Sequence, residues 1–147
     1  MRISWKQLWL THQTKWRFIL VGIWNTIFGY LAFVGLDILF TFLFPKRYYA
    51  YMAAALLGNI LAILNAFIFH KYVTFKSDAR GKAVIIEFAR FFSTYLFTMI
   101  LGLVLLPFLV EVIGIDPKIS GALLIPVTVI ISYFGHSRFS FRMHDKG

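Results

Sequence analysis

The sequence predicts an all-α integral membrane protein with four transmembrane helices, arranged as two parallel-repeat hairpins with both termini cytoplasmic. Three observations predict it. Of 147 residues, 60% are hydrophobic and only 14% charged, where a soluble domain has roughly half apolar and a quarter charged. The apolar residues fall into four runs of about 20, the length that crosses a bilayer as helix. The runs also come in two similar pairs. Arg17-Phe18 opens the first and Arg90-Phe91 the second, and His70-Lys71-Tyr72-Val73-Thr74-Phe75 lays over His136-Ser137-Arg138-Phe139-Ser140-Phe141 at their ends.

We place the spans at 18–40, 49–69, 91–112 and 119–139 within a single domain, 1–147, whose repeat halves run 17–75 and 90–141. The first apolar run is about twice the 7–15 residues of a signal-peptide core and lacks a small-residue cleavage site, so it is expected to be retained. Between spans two and three, the stretch from Lys71 to Arg90 is the one segment long enough to serve as a linker. Because each repeat holds two spans, both enter the membrane from the same side, related by an axis along its normal.

The positions of the fifteen cations set the orientation. Arg2, Lys6, Lys15 and Arg17 precede span one; Lys71, Lys76, Arg80, Lys82 and Arg90 separate spans two and three; Arg138, Arg142 and Lys146 follow span four. Lys46, Arg47 and Lys118 alone take the other side. By the positive-inside rule the richer side is cytoplasmic. The net charge of +9 is thereby assigned to anionic lipid head groups rather than nucleic acid, each cation contributing on the order of 1 kcal/mol. Trp5, Trp9 and Trp16, with Tyr48, Tyr49 and Tyr51, form the expected interfacial belt.

Polar side chains inside hydrocarbon are costly unless partnered, so those that remain mark surfaces facing the bundle. Gly22, Asn25 and Gly29 share one face of span one, and Asn59, Ala66 and His70 one face of span two. Arg90, Thr94 and Thr98, with Tyr95 beside them, stripe span three; Thr128, Ser132 and His136 stripe span four. For the threonines and Ser132 we prefer interhelical hydrogen bonding. Asn25 lies roughly 10 Å inside span one and Asn59 deeper still, and for both a binding role and a structural one stay open. Ala54, Gly58, Ala62 and Ala66 form a small-residue ladder for close helix approach, to span one, the other repeat or a second subunit.

Arg17, His70, Lys71, Arg90, His136 and Arg138 all fall at the cytoplasmic boundary. Singly, such cations snorkel to the head groups. Together they put up to four cations and two histidines on one rim, where guanidinium forks fit phosphate oxygens bidentately and lysine adds a point charge. We read this as a candidate phosphate site.

Catalysis finds no support in the sequence, so no enzymatic activity is expected. There is no nucleophile elbow, phosphate-binding glycine loop, His-Glu-x-x-His or paired carboxylates. Zero cysteines exclude disulfides and thiol chemistry. His70 and His136 have no carboxylate or thiolate nearby, so neither a metal nor another cofactor is expected. Of the six acidic residues, Asp37, Glu111 and Asp116 fall toward the outer side and none at mid-membrane, which argues against proton-coupled export of cationic drugs.

From Arg17 to Phe141 the chain resembles the GtrA-like family of small four-span bacterial membrane proteins. Arg17-Phe18, Val21-Gly22 with Asn25-Thr26, Asn65 through His70-Lys71 to Phe75, and Arg90-Phe91 to the Ser132–Phe141 segment carry the likeness. The chain departs from the family pattern at Ala66 and Ser132, where asparagine is usual, and at Val73 and Phe139, where tryptophan is. What the resemblance implies is flipping of a polyprenyl-phosphate-linked sugar, such as an undecaprenyl-phosphate sugar, across the bacterial inner membrane for cell-envelope polysaccharide. On that reading Arg17, Lys71, Arg90 and Arg138 hold the phosphate, Asn25 and Asn59 contact phosphate or sugar, and a homodimer is expected to complete the pathway. The alternative is a non-transporting adaptor that anchors a polyprenyl-phosphate glycosyltransferase through the ladder or the 71–90 stretch.

Overall fold

A computed structural model describes the backbone of residues 5–142 and the side chains of residue 13 and residues 16–131. All regular structure among them is helical. Helix α1 runs Trp5–Leu43, α2 Arg47–Phe69, α3 Lys82–Pro107 and α4 Pro117–Arg142. Two π-helical segments, His70–Thr74 and Phe108–Val112, extend α2 and α3. Trp16–Leu43, Arg47–Thr74 and Lys82–Val112 are long and apolar enough to cross a membrane, and Pro117–Ile131 is a shorter apolar helix.

Local chemistry sets the breaks. Pro45 stands between α1 and α2, where it cannot continue a helix. Proline also opens α4, at the position where a missing N–H costs nothing. Just ahead of it, the Asp116 carboxylate accepts the Lys118 backbone N–H at 2.9 Å, capping the helix. The expected linker from Lys71 to Arg90 is mostly helix instead. Only 75–81 lies outside helix, because α2 continues as the π-segment and α3 starts at Lys82, about two and a half turns before the predicted span.

The small-residue ladder of α2 meets α1. Ala54 and Ala66 are fully buried; a Cβ added at Gly58 would lie 3.3 Å from the Phe33 backbone, and one at Gly29 would lie 3.1 Å from Ala62. Phe33, Tyr51, Ala54, Ala55 and Leu106 form the buried core. Helix α4 reaches that core through Gly121, where a Cβ would stand 2.7 Å from the Phe33 ring. On α3, Leu106 is the one buried side chain among the described residues. The remaining leucine, isoleucine and phenylalanine surface turns outward, as a lipid solvent permits.

Both short turns lie at one end of the bundle, tied by polar contacts. Arg47 grips Asp37 with two hydrogen bonds, Tyr51 donates to Glu111 at 2.8 Å, and Tyr30 donates to the Lys118 carbonyl at 3.1 Å. The 75–81 loop marks the opposite end.

Candidate functional site

At the loop end, the Arg-Phe pair of each half converges on one histidine. The Phe18 ring lies 4.9 Å from the His70 ring and the Phe91 ring 5.8 Å, with Phe75 at 6.1 Å. His70 is buried, and its Nδ1 lies 3.0 Å from the Thr74 hydroxyl. This imidazole is a packing centre that brings α1, α2 and α3 together. Arg17 and Arg90 each adjoin one of its phenylalanines in the chain. Arg90 is exposed and Arg17 partly so, and neither forms an ion pair among the described residues.

Lys71 sits differently. It is 5% exposed, and its three ammonium protons have three acceptors: Glu87 at 2.9 Å, and Ser77 Oγ and the Ala79 carbonyl at 3.1 Å. Ser77 also donates to the second Glu87 oxygen at 2.7 Å. A lysine so placed folds the loop back onto α3 and presents a neutralised pair to the rim.

Of the two asparagines, Asn25 accepts a 3.0 Å hydrogen bond from Asn65, joining α1 to α2. Asn59 instead lines a central cavity of about 160 Å³ among the four helices, together with Tyr30, Thr98 and Thr128. Asn59 Nδ2 donates to the Ala55 carbonyl at 2.8 Å. Thr98 donates to the Tyr95 carbonyl at 2.9 Å, and Thr128 reaches those of Leu124 and Ile125 at 3.0 Å. The side chains of His136, Arg138 and Ser132 lie outside the described residues.

The site therefore has two parts: a rim with two guanidiniums, and an uncharged polar cavity deeper in the bundle. Arg17, Arg90 and Asn59 belong to the expected set, whereas Glu87 and the cavity role of Tyr30, Thr98 and Thr128 do not. Two acids amid five cations, Asp78 and Glu87, were the available signal.

Residues 17–141 match the family model described as GtrA/DPMS, transmembrane domain. The chain belongs to the GtrA/DPMS transmembrane domain family. The match covers most of the chain, including every helix that lines the cavity. With its membrane-length helices, this GtrA/DPMS chain is a multi-pass membrane protein. No match was found among curated proteins or among solved structures.

Proposed function

We propose that this GtrA/DPMS chain carries a polyprenyl-phosphate-linked sugar across the bacterial cytoplasmic membrane for envelope polysaccharide glycosylation. The observation that carries the reading is the pair of arginines, free of ion pairs among the described residues, whose neighbouring phenylalanines pack on His70. Four spans with the positively charged rim inside put that pair at the cytoplasmic leaflet, where guanidinium forks suit the phosphate. The prenyl tail remains in lipid beside the outward apolar faces. Lys71, already matched by Glu87, adds little free charge in this arrangement. That suits a carrier, since a phosphate held by two partly solvated arginines is released more readily than one in a buried cationic cage.

The test is binding of undecaprenyl phosphate to the purified protein by native mass spectrometry. Arg17→Ala and Arg90→Ala are expected to weaken binding about tenfold each, as loss of a charge-assisted contact does. Arg80→Ala, in the exposed loop, is the control and should leave binding intact. Binding no tighter than that of bulk anionic phospholipid, unchanged by either arginine substitution, would favour the membrane adaptor instead.

A further inference from the structure

The cavity offers hydrogen-bond acceptors and almost no donors. Each hydroxyl on its wall has one proton, and the structure spends it on a backbone carbonyl: Tyr30 on Lys118, Thr98 on Tyr95, Thr128 on Leu124 or Ile125. Asn59 gives one N–H to Ala55. What these wall residues keep unspent is the lone pairs of three hydroxyl oxygens, the Asn59 carbonyl oxygen and a single N–H. Among the described residues no charged side chain lines it.

That inventory discriminates between ligand groups. A phosphate carries acceptors and negative charge, and would find one amide N–H and no cation, at the full desolvation cost of a charge. A hydroxylated, uncharged group brings the donors that this wall lacks. Size narrows the class further. At about 160 Å³ the cavity is smaller than the roughly 300–1,000 Å³ that drug-sized ligands occupy, and matches one sugar ring rather than an oligosaccharide.

We infer that the central cavity is a binding site for an uncharged, hydroxyl-donating head group the size of one sugar ring. The arginine rim and the cavity are then occupied in turn, since a sugar bonded directly to its phosphate is shorter than the several helical turns between them. This rests on the carrier reading above and adds to it a place for the substrate's head group. Tyr30, Thr98 and Thr128 then act with Asn59 as the residues that recognise the head group.

Gly102 supplies the test. It lines the cavity, and a Cβ built there meets no atom within 4 Å, so the side chain of Gly102→Val starts in open space. Undecaprenyl phosphate and undecaprenyl-phosphoglucose are titrated in parallel by native mass spectrometry against wild type, Gly102→Val, Thr98→Val and Arg90→Ala. The sugar is expected to tighten wild-type binding. Gly102→Val should erase that gain, and Thr98→Val reduce it about three- to tenfold, as loss of one hydrogen-bond partner does. Both should leave the Arg90-dependent binding of the sugar-free lipid in place. A sugar gain that survives Gly102→Val, or no gain in wild type while Arg90→Ala still weakens the sugar-free lipid, overturns the cavity assignment and spares the carrier. Sugar-free binding that ignores Arg90→Ala overturns both.

Discussion

At the scale of single residues, Lys71 and Glu87 decide how much charge the rim presents. Lys71 has exchanged water for a carboxylate, a hydroxyl and a carbonyl, and removing one partner of such a set exposes the other's charge. Glu87 thereby occupies the place that a lipid phosphate would take on this lysine. Glu87→Gln is expected to raise affinity for undecaprenyl phosphate several-fold, and adding Lys71→Ala should return it to the wild-type value. Vesicle flotation with and without the lipid reads both. If the single substitution leaves affinity unchanged, Lys71 is only a tie between loop and helix. The lysine was legible in the sequence because it sits in a repeated motif. Its partner was not, since a contact sixteen residues away depends on a turn whose geometry no spacing rule reports.

At the scale of elements, the four apolar helices were legible and their ends were not. Hydrocarbon demands a run of apolar residues and fixes where a helix must exist, but it is silent on how far the helix continues into the head groups. Helices α2 and α3 both run on and finish alike. The Phe75 and Ile113 amides bond five residues back to His70 and Phe108, and the Ser77 and Ile115 amides six back to Lys71 and Leu109. Each end needs a left-handed residue just before its last amide, and these are Lys76 at φ 49° and Gly114 at φ 82°. Glycine adopts that conformation freely, whereas another residue loses roughly 1–2 kcal/mol. Lys76→Gly is therefore expected to stabilise the protein by about 1 kcal/mol, and Gly114→Ala to destabilise it by a similar amount. Thermal unfolding in detergent checks both. A drop in stability on Lys76→Gly would mean that the lysine side chain contributes more than its backbone strain removes.

At the scale of the whole molecule, both ends carry an ion pair and the middle of the bundle is held by shape. Small residues let α2 approach α1 and Gly121 lets α4 approach Phe33, a pattern whose existence the ladder forecast but whose partner it left open. The acids at the turn end were visible too, yet their pairing appears only once the 44–46 turn brings α2 back beside α1. There the Asp37 side chain is 0% exposed while that of Arg47 remains 38% exposed. The pair is thus asymmetric: the carboxylate depends on the guanidinium, which retains part of its hydration. Arg47→Met keeps the stem and deletes the charge, leaving Asp37 uncompensated in a water-poor site. Breaking a buried pair from one side costs about 3–5 kcal/mol, and the partial exposure of Arg47 places the expected loss toward the lower end of that range. Arg47 also stacks 5.9 Å from the Tyr51 ring, whose hydroxyl holds Glu111 beyond α3, so the loss should spread to the contact between the two hairpins. Adding Asp37→Leu removes the stranded carboxylate and should recover most of the stability, because a neutral apolar pair often matches the ion pair it replaces. Denaturation in detergent of the two single variants and the double one gives the coupling directly. Recovery in the double variant identifies the pair as a tie between α1 and α2, whereas additive losses would mean that Arg47 acts mainly through Tyr51 and Glu111.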